Sequence, residues 1–145
     1  MTQLQAIRWF TSIAVGEPIV IPRNRKQDNW GMGVADKHPR LYLPSNLNYE
    51  PNNEDREFRS DFVSRYNPAH EFSDITLTLL HECGHWMTRE EADIWTYGER
   101  VERTETYKEY LMLDEEYNAT EWAIQWLTDA EHRRIAQTFE REYFR

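Results

Sequence analysis

Within residues 78–89, TLLHECGHWMTR, two histidines bracket a glutamate in the spacing H-E-x-x-H. Residues four apart on a helix stand one above the other, so His81 and His85 present their imidazoles to a single point. Glu82 lies about 100° from His81 and about 60° from His85 around the helix axis, close enough to reach a water on a bound metal without binding the metal first. Zinc suits this set, because neutral imidazole is a good ligand and the ion lowers the pKa of bound water to roughly 7. Glu82 is then placed as the general base that takes a proton while the water attacks a peptide carbonyl. The competing reading is a chance pattern on an ordinary core helix. The apolar flank Thr76–Leu80 weighs against it, since two histidines and a glutamate are costly on a buried helix without a partner.

Two histidines leave zinc short of the three protein ligands usual in catalytic sites. Met112, Glu116, Ala119, Ala123, Trp126 and Ala130 recur at helical spacing, and Glu116 is the only charged member of that apolar stripe. A carboxylate there needs a partner or a metal, which makes Glu116 the candidate third ligand. Asp114, Asn118, Glu121, Gln125 and Asp129 form the polar face, so Glu121 is read as solvated. Two alternatives stay open. A rotation of one residue would bring Glu115 beside Ala119, Trp122 and Trp126. Glu91 stands six residues after His85, where the extended H-E-x-x-H-x-x-G-x-x-H pattern has its third ligand, although Thr88 occupies the glycine position. Cys83 faces away from the histidines toward Leu79, Leu80 and Met87, a packing role. Gly84, together with Ala119 and Ala123, permits close helix approach.

The elements that must position these groups follow from periodicity and punctuation. Residues 2–15 form an amphipathic helix ended by Gly16. Residues 17–23 (EPIVIPR), 30–36 and 39–44 read as strands, the last two joined at Lys37-His38, with Leu41 and Leu43 facing the core and Tyr42 outward. The Tyr42 strand offers an edge to an extended substrate. Residues 44–57 are the longest loop signal and a candidate flap. Helical character begins near Phe58. Asn67-Pro68 reads as the cap and first turn of the motif helix, and Thr128 with Glu131 as a capping box for the last one. Strands early and helices late make an α+β pattern in one domain, residues 1–145.

HECGHWMT followed about thirty residues later by EEYNATEWA resembles the zincin-like metallopeptidases of the gluzincin arrangement, H-E-x-x-H plus a distant helical Glu. The stretch is similar to the peptidase domain of ArdC-type antirestriction proteins, with Phe72 matching the lead-in to the motif. It is also similar to the ImmA/IrrE-type peptidases, whose E-x-x-A-x-x-F-A run reads here Glu116 to Ala123. The resemblance spans residues 70–127. It implies a minimal zincin-like fold, with a small antiparallel sheet packed on the active-site helix and further helices after it. It also implies Zn2+ held by His81, His85 and Glu116, with Glu82 as general base. Departures are Met87 between Trp86 and Thr88, where the ArdC pattern runs H-W-T-G, and no room for the separate DNA-binding domain of that group. The antirestriction or mobile-element role stands by analogy alone.

Composition narrows the function classes. With 26 acidic against 17 basic residues the formal charge is −9, which disfavours nucleic acid or an anionic membrane as the main partner. The basic groups Arg23–Lys26 and Arg133-Arg134 read as solvated charge. A single cysteine, and an N-terminus with neither a basic leader nor an uninterrupted apolar run, point to a cytoplasmic protein. The expected function is zinc-dependent hydrolysis of peptide bonds in a specific intracellular protein. The alternative is a catalytically silent, zincin-derived protein-binding module. An oxyanion-stabilising side chain accompanies such chemistry, and Tyr97, Tyr107, Tyr110, Tyr117 and His132 are its candidates. His38 and His70 read as ordinary, and Trp122 and Trp126 as core.

Overall fold

The computed structural model describes residues 1–22 and 29–145, so the Arg23–Lys26 cluster and the end of the 17–23 strand expectation lie outside the described residues. Helix α1 (Gln3–Val15) is opened by a reciprocal Thr2/Gln5 capping box and closed by Gly16 at φ 77°, a left-handed conformation that suits glycine. Strands β1 (Gly31–Gly33) and β2 (Arg40–Tyr42) pair antiparallel, with Met32 opposite Leu41. Helices α2 (Asn53–Arg65), α3 (Asp74–Met87), α4 (Ile94–Glu102), α5 (Tyr107–Leu111), α6 (Asp114–Leu127) and α7 (Ala130–Tyr143) follow. Seven α-helices and a two-stranded antiparallel sheet among the described residues make a helix-rich α+β arrangement. No helix among them is long and apolar enough to cross a membrane.

The core lies between α1, α3, α6 and α7. Phe10 of α1 stacks on Phe139 of α7 with ring centroids 4.5 Å apart, and meets Trp126 of α6 edge-on at 5.9 Å. Leu77, Leu79, Leu80 and Cys83 of α3 are fully buried against this layer. The Cys83 sulfur faces the Thr11 carbonyl of α1, while Met87 is 42 % exposed and takes no part. Leu41 and Leu43 are buried, and Trp122 packs partly buried on the core.

Several expectations are corrected. Prolines 18 and 22 cannot donate to a ladder, and residues 17–22 make only a bridge in which Val20 pairs parallel with Arg40. Val20 thereby occupies the free side of β2, so the Tyr42 strand is not the open edge. Among the described residues that edge belongs to β1. The loop stops at Asn52, because Asn52 and Asp55 form a capping box that starts α2 inside the polar stretch. Asn67-Pro68 opens a separate 3-10 turn (Asn67–Glu71), not the motif helix. Asp129, not Thr128, caps α7 through the His132 amide, and Thr128 ends α6. The apolar stripe is shorter than its spacing suggests: Met112 and Ala130 lie outside α6 and are exposed.

Candidate metal centre

Helix α3 carries the H-E-x-x-H motif through the middle of the fold, with His81, Glu82, Cys83, Gly84 and Trp86 all buried. Its N-terminus is held from a distance. The Glu140 carboxylate of α7 accepts the Ser73 amide, the Ser73 hydroxyl and the Thr76 hydroxyl, each at 2.6 Å. A carboxylate at that position satisfies a free amide and opposes the positive end of the helix dipole. At the other end the Trp86 indole donates to Glu17 at 3.0 Å.

The partner helix is α6, and one glycine sets the separation. A Cβ built on Gly84 would stand 2.2 Å from the Ala119 carbonyl oxygen and 2.8 Å from the Ala119 Cα. The two backbones therefore touch, and Glu116, one turn before Ala119, reaches both histidines. Glu116 Oε1 lies 3.0 Å from His81 Nε2 and 3.3 Å from His85 Nε2, and Oε2 is 3.2 Å from His85 Nε2. One donor atom from each of the three residues falls within 4.8 Å of the others.

These separations suit a cation. Zinc with ligand bonds of roughly 2.0–2.1 Å in a tetrahedron sets its ligands about 3.3 Å apart. Thr120, a turn beyond Glu116 on the same face, holds His81 Nδ1 at 2.8 Å. With Nδ1–H donating to Thr120, the Nε2 lone pair points at a carboxylate oxygen, a contact that only a proton or a metal ion between them makes favourable. Burial opposes ionisation of Glu116, but hydrogen bonds from His81 and His85 outweigh it and hold the carboxyl well below its usual range. Burial also opposes a charged His85; the hydrogen bond and charge of Glu116, with Glu82 behind, outweigh it and raise the ring to about 9. The buried His-His-Glu group can thus hold a metal ion.

Glu82 stands apart from this network. It is 8 % exposed, lines two adjoining cavities, and accepts no hydrogen bond among the described residues. Burial pushes its pKa up, the two histidines pull it part of the way back, and Glu116 adds to the rise.

The rival carboxylates are elsewhere. Glu115 is clamped by Arg100 of α4 at 2.6 and 2.5 Å and accepts the Asp93 amide at 3.1 Å. That clamp keeps it ionised, and it is not one of the three residues whose donor atoms come together. Glu91 is exposed in a 3-10 turn after α3. Glu121 is half-exposed and pairs with Arg65 at 2.9 Å. Of the oxyanion candidates, the Tyr97 hydroxyl donates to Glu116 Oε2 at 2.5 Å and stands 3.5 Å from that of Tyr110. Burial, then the charge of Glu116, raises the pKa of both, so each keeps its proton at neutral pH. Tyr107 lines the larger cavity. Tyr117 lies under Arg65, and His132 stacks on Trp126, so neither belongs to the group. His70 is exposed against the Asn67 carbonyl, and His38 lies 3.7 Å from Glu17.

Thr120 and Glu140 escaped the sequence reading. Thr120 was within reach of it, being four residues beyond Glu116; Glu140 was not. Compared with known protein families, curated proteins and solved structures, the chain finds no match in any of the three.

Proposed function

We propose that the chain is a zinc-dependent metallopeptidase of minimal zincin-like fold, acting on a peptide bond of a protein or peptide substrate. His81, His85 and Glu116 would hold the ion, and Glu82 would be the general base. The observation that carries this reading is Glu82, a mostly buried side chain beside the His-His-Glu group that opens onto both cavities and has no protein partner among the described residues. A mostly buried carboxylate kept for stability alone would be expected to pair with a protein donor. A base must be left free to take a proton.

Zinc, when bound, supplies a Lewis acid for the carbonyl and a water of lowered pKa. The other steps belong to the chain. Glu82, its pKa raised by burial, accepts the proton of the attacking water and returns it to the leaving amine. Tyr110, protonated, offers a hydroxyl donor to the charge that develops on the carbonyl oxygen, while the Tyr97 proton is held by Glu116. Strand β1 lies against α3 beside the second cavity, and its edge can take an extended peptide by backbone pairing. The small sheet beside the motif helix supports the zincin likeness, and the ArdC likeness extends it to an anti-defence target inside a cell. A second reading, a binding module without catalysis, draws on the way Glu116 is already satisfied by His81, His85 and Tyr97.

The discriminating substitution is Glu82→Gln. It should retain one zinc per chain and the fold while losing roughly 10²–10⁴-fold in peptide hydrolysis. Zinc analysis and the protein N-termini newly created in expressing cells would be compared with wild type. If zinc-loaded wild type yields no N-termini beyond those seen with Glu82→Gln, the binding module is the better reading.

A further inference from the structure

The larger of the two cavities, about 460 Å³, runs from His81, Glu82 and Glu116 outward to a rim that the proposed chemistry does not use. Its rim carries Glu54, Asp55 and Glu105, and its walls include Trp30, Tyr49 and Tyr107. No lysine or arginine among the described residues lines it. Asp55 spends its oxygens on the α2 cap and on Tyr49. Glu54 and Glu105 make no side-chain hydrogen bond or ion pair among the described residues. The second cavity, about 240 Å³, shares Trp30, Glu82, Tyr110 and Glu116 with it and adds Met32, Val34, Ile94 and the Arg100-paired Glu115. The carboxylates without counter-ions outside the candidate catalytic group therefore belong to the larger cavity, since Glu115 of the smaller one is paired with Arg100.

Resting on the peptidase reading above, we infer that the larger cavity selects substrates with an arginine or lysine side chain on one side of the scissile bond. Two pieces of chemistry agree on a cation. Carboxylates without counter-ions attract one, and a low-dielectric concave wall focuses their field. Flat aromatic faces bind guanidinium or ammonium groups. Glu82, mostly buried and without a protein partner among the described residues, opens into this cavity and leaves its inner end free for a ligand. An acidic side chain in the same place would meet like charge at both ends.

The test uses the full chain carrying Glu82→Gln, so that peptides bind without being cut. Fluorescence anisotropy would measure a labelled hexapeptide series bearing arginine, lysine, norleucine or glutamate at each central position. Two or three partly solvated charge pairs predict about a tenfold preference for arginine over norleucine at one position. Adding Glu54→Gln and Glu105→Gln should shrink that ratio toward one. Both residues are exposed, so circular dichroism should show the fold unchanged. Equal affinity for arginine and norleucine, or a ratio that survives both substitutions, overturns the inference. Cleavage by wild type without any basic preference overturns it as well, yet leaves the peptidase reading standing. Basic-peptide binding that Glu54→Gln and Glu105→Gln abolish, in a chain whose wild type cuts nothing, upholds the cavity and sinks the peptidase.

Discussion

Replacing Gly84 with alanine should damage the fold and the metal group together. The added methyl would sit 2.2 Å from the Ala119 carbonyl oxygen, where ordinary contact begins near 3.4 Å, so α3 and α6 must separate by about 1.2 Å. The obstacle is backbone, which cannot rotate aside. Overpacking of this kind costs about 1–3 kcal/mol and occasionally more. Against that, alanine gains about 1 kcal/mol over glycine inside a helix. Glu116 rides on the displaced helix, and a shift of this size takes its oxygens from 3.0–3.3 Å to beyond hydrogen-bond range of His81 and His85. Adding the loss of those charged contacts, the net destabilisation should be about 2–4 kcal/mol, or roughly 10 °C in Tm. Zinc affinity should fall at least tenfold, as it does when a supporting contact of a metal site is lost. Urea unfolding followed by tryptophan fluorescence, with zinc titration in parallel, measures both. Gly98→Ala is the control: it lies on exposed α4 with nothing within 4 Å of its added carbon, and should stabilise by up to about 1 kcal/mol. If Gly84→Ala is as stable as Gly98→Ala and binds zinc normally, the reasoning from backbone contact is wrong.

Two further outcomes follow from the electrostatics and from the division of labour on α6. In the metal-free protein His85 is raised to about 9, so zinc must displace a proton below that pH. Its affinity should climb about tenfold per pH unit up to roughly 9 and level off above. By the same sign the stability that His85 gives the metal-free protein is complete below its unfolded value near 6.5, and is lost as pH rises through about 9; calorimetry across this range reads it. Glu116→Ala should abolish tight zinc binding. Glu115→Ala should leave binding within a few fold while loosening α4, measured as faster amide exchange over residues 94–102, and the reverse pattern would exchange the roles of the two carboxylates.

What could be read from the sequence was what short-range chemistry decides. The α1 helix with its Gly16 stop, the inward Leu41 and Leu43, and the juxtaposition of Gly84 with Ala119 all follow from spacing and side-chain size. Glu116 was legible as a carboxylate on an apolar face because its neighbours Ala119, Ala123 and Trp126 are buried with it. Boundaries failed where two signals competed. Thr128 and Asp129 are both good caps, and only the turn of the chain selects Asp129. The run of asparagines before α2 reads as loop, although Asn52 and Asp55 form a capping box within it. The β-branched run at residues 19–21 reads as strand, although flanking prolines leave it a single bridge. Contacts made across long separations left no local trace. Glu140 caps α3 from 67 residues away, and nothing in the tyrosines' own surroundings singles out Tyr97.

The two glutamates at the start of α6 show why register matters more than residue type here. Adjacent residues on a helix point about 100° apart, so only one of Glu115 and Glu116 can face α3. Glu116 takes that direction because Ala119, next along the same face, is pressed against Gly84. Glu115 is thereby turned toward α4, where Arg100 meets it. That same α4 buries none of its residues and brings Tyr97 to Glu116. Its placement therefore rests on polar contacts to two consecutive carboxylates more than on apolar packing. Such contacts weaken with salt and with acid, whereas the α3–α6 contact does not. The candidate metal-holding residues sit on the closely packed α3–α6 pair, and the Tyr97 hydroxyl that meets Glu116 sits on a helix that polar contacts hold in place.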